Sequence, residues 1–393
     1  MTSRRSTTWP TGCRTPPATS RRTSWRCPPS AASPRSRSAT TSAPPPRKRN
    51  CDSCPTSPSG SGPDNRRRTS TVRAALLQEL GAAPEVAEVD NPVRQAGQAL
   101  VRVTAAPLNP LDLLVASGNF YAGKPEIPYV PGVEGVGEVV EGEALQPGQR
   151  VRFERRAGYE GHGSLAELAC ADETTTMTID EDVPDPLAAS LGVAGLAGWL
   201  SVAWRAGLQP GERVLVLGAT GAVGQVAVQA AKLLGAGTVV AAARNREALD
   251  RIRELGADAV VELGTEETAE LAAALREAAG GDLDVIIDPL WGPPALAAAQ
   301  ASAPLARLVH LGQSAAPEVN LPSGTLRARM QSVLGYSNLV MPREQLAEAY
   351  QRMLRHAARG ELQVQHEAVP LDGVADAWQA QRSAPHRKLV IAP

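Results

Sequence analysis

The stretch Val214-Leu-Val-Leu-Gly218-Ala-Thr-Gly221-Ala-Val-Gly224-Gln-Val-Ala-Val-Gln-Ala-Ala-Lys-Leu-Leu-Gly235 decides the fold. Four consecutive aliphatic residues read as a buried strand, three glycines spaced three apart read as a tight turn, and the Ala/Val/Leu-rich run behind them reads as a helix. Each glycine has a physical task. One lets the chain leave the strand sharply, one lets backbone approach a pyrophosphate, and one lets helix pack against strand. The helix N-terminus then turns free N–H groups and a favourable dipole towards the phosphates. Gly218, Ala219, Thr220, Gly221, Ala222, Val223 and Gly224 are therefore the candidate dinucleotide-binding residues. Their spacing is the G-x-x-G-x-x-G variant, with Ala219 and Thr220 in the middle of the turn.

Working outward, Gln209-Pro-Gly-Glu-Arg launches this strand and a helical stretch from Leu187 to Ala206 precedes it. Downstream, strands at Thr238 to Ala242, Ala259 to Glu262, Asp284 to Asp288 and Ala306 to Leu311 alternate with helices at Glu247 to Leu255, Glu266 to Ala279 and Pro294 to Ala301. Such alternation predicts an α/β domain with a doubly wound parallel sheet. Between Val72 and about Ala171 the pattern differs: Ala74-Ala-Leu-Leu, Ala99-Leu-Val-Arg-Val-Thr, Val136-Gly-Glu-Val-Val, Arg150-Val-Arg-Phe and Leu165-Ala-Glu-Leu-Ala are short β-like runs broken by Gly and Pro, the mark of a small β-rich domain. After about Arg327 come one long helix at Arg343 to Arg355 and a closing Lys388-Leu-Val-Ile391 strand.

Composition divides the chain at about residue 71. Residues 1–71 contain no Leu, Ile, Val, Phe or Tyr and are rich in Arg, Ser, Thr and Pro, so they cannot bury enough apolar surface to fold and are expected to be disordered. They hold 14 Lys/Arg against 2 Asp/Glu, which leaves 26 basic and 39 acidic of the chain's 40 and 41 for an acidic body. A basic tail suits nucleic acid, an acidic partner or organelle import, but its prolines and missing aliphatics spoil an amphipathic helix. The reading preferred is translated upstream sequence, with the working protein starting near Val72 and nucleic-acid binding disfavoured. Cys51-Asp-Ser-Cys54 has no second ligand pair beside it and reads as chance. Cys170 is the one cysteine of the body, which excludes a disulfide framework and points to a reducing cytoplasm. No window reaches the roughly 18 uncharged apolar residues of a membrane span, so no membrane is expected.

Several ordered motifs carry a resemblance: Ala105-Ala-Pro-Leu-Asn-Pro-Leu-Asp112, Ile127-Pro-Tyr-Val-Pro-Gly-Val-Glu-Gly-Val-Gly-Glu-Val139, the glycine turn, Leu255-Gly-Ala-Asp258, Asp284-Val-Ile-Ile-Asp288 and Lys388-Leu-Val-Ile391. Residues 72–393 resemble the medium-chain dehydrogenase/reductases, in the zinc-independent quinone oxidoreductase branch that includes zeta-crystallin-like proteins. The resemblance implies a GroES-like catalytic domain over 72–190, a Rossmann NADP(H)-binding domain over 191–327 and a return to the catalytic domain over 328–393. The active site is expected in the cleft between them, in a homodimer. Zinc enzymes of the family carry a cysteine near Asn109 and a histidine where this chain has Val133, so no metal is expected here.

Cofactor choice turns on charge after the next strand. NAD binders place a carboxylate there, but this chain reads Val239-Val-Ala-Ala-Ala-Arg244-Asn245-Arg246, favouring NADPH with Arg244 as principal ligand and Asn245 and Arg246 as helpers. Gly312, after a strand end, is a further cofactor candidate, while His310, whose strand-end place could bring it to the nicotinamide, reads rather as a satisfied structural histidine. Asn109 matches the family's cleft asparagine, although read by itself Asn109-Pro110 is only a turn former. Asp112 is expected to fix local backbone or an N-cap rather than to transfer protons. Where relatives often carry a tyrosine this chain has Phe120, leaving the neighbouring Tyr121, bulk water or mere loop packing as alternatives for proton donation. Leu263 and Ala197 stand where relatives carry tyrosine and threonine. Trp199, Trp204 and Phe120 are candidate pocket walls, core residues or dimer contacts. The reading favoured is an NADPH-dependent, metal-free reductase of quinones or α,β-unsaturated carbonyls. The alternatives are an enoyl-thioester reductase, an NADP-linked alcohol dehydrogenase and an NADPH-binding sensor with little catalysis.

Overall fold

The computed structural model describes residues 70–264 and 267–393. The basic tail and its Cys51–Cys54 pair lie outside the described residues, but Thr71 already belongs to a strand, so the boundary expected after residue 71 falls inside that strand. In chain order β1 (Thr71–Leu76) and β2 (Glu85–Asp90) form an antiparallel pair. There follow β3 (Gln98–Pro107), α1 (Pro110–Ala116), β4 (Glu134–Glu141), β5 (Arg150–Glu154), β6 (Leu168–Asp172) and β7 (Met177–Thr178). The run expected as a strand at 165–169 pairs three residues later, as β6 against β3.

A single helical run then spans Asp185–Ala206. It is α2 (Asp185–Ser190) and α3 (Leu196–Leu200), each continued by a π-helical turn, with a kink at Gly192 (φ −65°, ψ −119°). A Cβ at Gly192 would lie 2.0 Å from Glu134 Oε2, so only glycine permits the bend. By length and composition this run is long enough and apolar enough to cross a membrane, unlike the expectation from sequence, yet 72% of its apolar window is buried against the rest of the fold.

The parallel half alternates as expected: β8 (Arg213–Leu217), α4 (Ala222–Leu233), β9 (Thr238–Ala243), α5 (Arg246–Glu254), β10 (Ala259–Glu262), α6 (Thr268–Ala279), β11 (Leu283–Asp288), α7 (Gly292–Gln300) and β12 (Ser302–His310). α8 (Ser323–Arg329), β13 (Ser332–Gly335), α9 (Arg343–Ala358), β14 (His366–Pro370), α10 (Val374–Arg382) and β15 (Lys388–Ala392) complete the chain. The six-stranded sheet has the order β10-β9-β8-β11-β12-β13, every pair parallel. The boundary expected at 327/328 is therefore too early, because β13 belongs to this sheet. Sequence periodicity missed it because Ser332-Val-Leu-Gly335 is a four-residue strand at a sheet edge.

Both faces of the six-stranded sheet are buried, which is why its strands read as unbroken aliphatic runs. Val214, Val216, Val239, Ala241, Val285 and Ile287 pack beneath α4 and α9, while Leu215, Leu217, Val240, Ala242 and Ile286 pack against α6 and α7. The β-rich half has a separate core around Phe153, Leu165, Trp378 and Ile391, built on a sheet in which β14 and β15, from the end of the chain, join β3, β4, β5 and β7. Two buried glutamines of α4 tie this returning segment to the parallel half. Gln225 Oε1 accepts from the Gln365 N–H (2.8 Å), and Gln229 Oε1 accepts from the Gln363 N–H (2.9 Å) while its Nε2 donates to Gln363 O (2.7 Å).

Candidate active site

The chain crosses from β8 to α4 through the glycine turn at the carboxyl ends of the parallel strands. Gly218 has φ +61°, and a Cβ there would press on Pro289 and Leu290 at 3.1 Å. Gly224 lies so close to the turn that a Cβ would stand 2.5 Å from Ala219 Cα and from Gly218 O. Gly221 is exposed and precedes α4, whose first turn has no side-chain cap, so its leading N–H groups face outward as an anion site does. The strand order turns back between β8 and β11, the switch point at which open α/β sheets bind their ligands.

Among Arg244, Asn245 and Arg246 the structure makes a clear division. Asn245 caps α5, its Oδ1 accepting the Ala248 N–H at 2.9 Å, and Arg246 pairs with Asp250 one turn on (3.6 Å). Arg244 has no hydrogen bond or ion pair among the described residues and is exposed at the end of β9. The helper roles expected for Asn245 and Arg246 therefore compete with contacts they already make. Gly312 is explained by packing, since a Cβ there would sit 2.7 Å from Pro289 O. His310 is not the satisfied residue expected: its Nδ1 is buried without a hydrogen bond, 3.4 Å from the likewise unpartnered Asp288 Oδ2, while its ring lies 4.2 Å from that of Trp291.

A cleft of about 430 Å³ is lined by the apolar Val115, Phe120, Val133, Val193, Met341 and Leu346 and by the charged Glu154, Arg155, Arg156, Glu160, Asp172 and Arg343. Tyr121 stands at its rim, 80% exposed and with its ring 4.2 Å from that of Phe120. Tyr159, which sequence reasoning did not select, also lines the cleft, but its hydroxyl donates to Gly123 O at 2.6 Å. Trp199 is a core residue, 1% exposed, and Trp204 lies on the surface, so of the three aromatic candidates only Phe120 forms part of this wall.

Behind the cleft lies a buried charge network. Asn109 is 2% exposed; its Nδ2 donates to Pro107 O (3.2 Å) and Glu134 Oε1 (3.0 Å), and its Oδ1 accepts from Lys388 Nζ (2.6 Å). Glu134 Oε2 also accepts from Arg152 Nη2 (2.9 Å) and from the Val193 N–H (2.7 Å) at the Gly192 kink. Asp112 accepts the backbone N–H groups of Asn109 and Val133, both at 2.8 Å, so it does fix local backbone. Burial pushes its carboxyl up to about 6 against the pull of those two N–H groups and of Lys388. Burial likewise pushes the Lys388 ammonium down, opposed by Glu134 and Asp112. Asn109 is thus not presented to the cleft as expected, because every polar atom of its side chain is already engaged inside the protein.

The fold agrees with comparisons to known proteins. Residues 95–181 match the family model described as alcohol dehydrogenase GroES-like domain, and residues 222–356 match the one described as zinc-binding dehydrogenase. The quinone oxidoreductase-like protein 2 of Rattus norvegicus is 32% identical over 269 residues, covering 67% of this chain and 74% of the relative. The chain is a medium-chain dehydrogenase/reductase of the quinone oxidoreductase branch. A segment of a phenolphthiocerol/phthiocerol polyketide synthase of Mycobacterium tuberculosis is 32% identical over 324 residues, 79% of this chain, which spans only 14% of that much longer relative. The crystal structure of a probable oxidoreductase from Mycobacterium abscessus superposes with a TM-score of 0.72 at 26% identity, over 82% of this chain and 100% of the other. The β-rich half is accordingly the GroES-like domain and the parallel half the Rossmann domain of this medium-chain dehydrogenase/reductase.

A zinc ion does not fit the residues present. Val133 offers no ligand atom, and Asn109 Oδ1 already faces the Lys388 ammonium, which would repel a second cation in a medium of low dielectric. Among the described residues no three His, Cys, Asp or Glu side chains gather as a metal site. Sequence reasoning also missed Glu134, Arg152 and Lys388. For Glu134 and Lys388 a signal existed, namely a charged residue at a buried position of a valine-rich strand, where only a partner elsewhere could satisfy it.

Proposed function

We propose that this oxidoreductase uses NADPH, without a metal, to reduce quinones or α,β-unsaturated carbonyl compounds. The observation that carries the cofactor reading is Arg244, an exposed guanidinium without a partner among the described residues at the strand end where NAD binders place a carboxylate. The glycine turn and the first N–H groups of α4 would hold the pyrophosphate, and Arg244 the 2′-phosphate. When bound, the dinucleotide supplies a hydride to an electron-poor carbon. The apolar part of the cleft around Val115, Phe120, Val133 and Val193 suits an uncharged acceptor, and Tyr121, exposed at the rim, would donate to the oxygen on which negative charge builds. Asn109 acts here as a positioning residue, holding Lys388 and Glu134 behind the cleft. A buried free Cys170 suits a reducing cytoplasm.

A second reading, reduction of an enoyl thioester, is favoured by the likeness to a segment of a polyketide synthase. Following dinucleotide oxidation with a quinone, an enone, an enoyl thioester and an aldehyde separates the two. Turnover of the quinone or enone at least tenfold above the thioester supports the first reading, and the reverse order supports the second. No turnover of any acceptor despite dinucleotide binding sinks both. The chain is also read as a homodimer. β13 is an open sheet edge flanked by exposed Met330, Val333, Leu339 and Val340, a surface that a second copy would cover.

A further inference from the structure

His386 lies between α10 and β15, on the segment that returns to the GroES-like sheet, yet its side chain reaches the Rossmann domain. Its Nδ1 is 2.9 Å from Thr220 Oγ1, in the middle of the glycine turn. Gln225 Nε2 binds both ends of this contact, donating to Thr220 O (3.0 Å) and to His386 O (3.4 Å). The backbone is held in the left-handed region at φ +57° for His386 and +53° for Ala384, conformations that residues with a Cβ adopt at a cost and that recur at ligand clamps. Nε2 has no partner among the described residues.

The surroundings of His386 are cationic. Burial, and after it the charges of Arg244 at the end of β9 and Arg251 on α5, hold its imidazole below the ordinary value. On its own segment Arg387 is turned to Glu367 and Lys388 to Asn109, and Arg251 has Glu247 at 3.4 Å. The imidazole beside the glycine turn thus feels Arg244 and Arg251 from two other elements, and His386 and Arg244 have no carboxylate partner among the described residues. An anion placed there would favour the protonated imidazole that these neighbours disfavour. We propose that His386 is a ligand of the adenosine 2′-phosphate, closing on it from the GroES-like side while Arg244 holds it from the Rossmann side. The inference rests on the NADPH reading and deepens it: the phosphate that distinguishes the two nicotinamide dinucleotides is gripped by both domains.

The test is the dissociation constant of NADPH and of NADH, measured by fluorescence titration of the full chain and of His386→Gln and His386→Arg. Glutamine keeps a polar group beside Thr220 and cannot take up a proton; arginine carries a permanent charge. The expected result is an NADPH affinity weakened about tenfold in His386→Gln with NADH nearly unchanged, the worth of one hydrogen bond to a charged group, and an NADPH preference retained in His386→Arg. Equal weakening of both dinucleotides would mean that His386 only shapes the turn and would overturn the proposal, as would a loss of preference in His386→Arg. If the parent chain prefers NADPH and His386→Gln keeps that preference, this inference alone fails. If the parent chain shows no preference, the Arg244 reading fails first.

Discussion

Lys388→Met removes one charge from a place that water cannot reach. Lys388 is 4% exposed, its Nζ is 2.6 Å from Asn109 Oδ1, and Asn109 in turn touches Glu134 at 3.0 Å. Methionine comes close to the length of the side chain, so packing is nearly kept while Asp112 and Glu134 are left with Arg152 as the buried cation. Removing one partner from such a group costs about 3–5 kcal/mol. At an unfolding entropy of about 2.1 cal/mol/K per residue over the roughly 320 described residues, that is a fall in Tm of about 4–7 °C. The effect carries a pH signature. Asp112 is an acid pushed up to about 6 in the fold, so its contribution to stability is complete below the ordinary carboxylate value and is lost as pH rises through the folded one. Below about pH 5 it is neutral with or without Lys388, and the variant then suffers from Glu134 alone. Scanning calorimetry should therefore find a smaller difference between parent and variant at pH 5 than at pH 7.5. A variant within about 1 °C of the parent at both pH values would refute the assignment of Lys388 as the counter-charge of this network.

Arg244→Ala is expected to raise the KM for NADPH about ten- to hundredfold while leaving NADH within about twofold, read from steady-state rates with a single acceptor. Gly224→Ala places a methyl 2.5 Å from Ala219 Cα and Gly218 O, so the helix must move off the turn; isothermal titration should show both dinucleotides losing at least tenfold in affinity, in a protein of lowered Tm. Val333→Lys puts a charge on the open edge of the six-stranded sheet, and sedimentation velocity should show a dimeric parent becoming monomeric; an unchanged sedimentation coefficient would dismiss β13 as the contact.

What was legible in the sequence follows from how local each signal is. The turn at Gly218 to Gly224 is complete within seven residues, and the aliphatic runs of β8, β9 and β11 follow from burial on both faces, so the Rossmann half could be read almost strand by strand. β13 escaped because an edge strand is half-solvated and needs no hydrophobic run. The arginines after β9 were legible as charge but not as geometry: only the structure separates Arg244, which is free of ion pairs among the described residues, from Arg246, which Asp250 occupies.

The candidate catalytic centre was the least legible part, and the distance along the chain explains it. Asn109 and Lys388 are 279 residues apart in sequence, Asn109 and Glu134 are 25 apart, and Glu134 and Val193 are 59 apart; no local pattern links them. Each looks like an anomaly by itself: an asparagine before a proline, a lysine opening an aliphatic strand, a glutamate beside a glycine. Burial turns these anomalies into constraints, because a charge nine-tenths or more buried must find its partner wherever the chain supplies one. The same segment that brings Lys388 to Asn109 brings His386 to Thr220, two residues earlier. The glycine turn and the network behind the cleft are therefore joined by a link of three residues, anchored at one end on Thr220 and at the other on Asn109. A displacement of His386 by a bound phosphate would be felt at Lys388, since the backbone between them spans only two peptide units. With His386 a ligand of the cofactor as proposed, its recognition and the positioning of the buried charges would be properties of one strand end rather than of two separate sites.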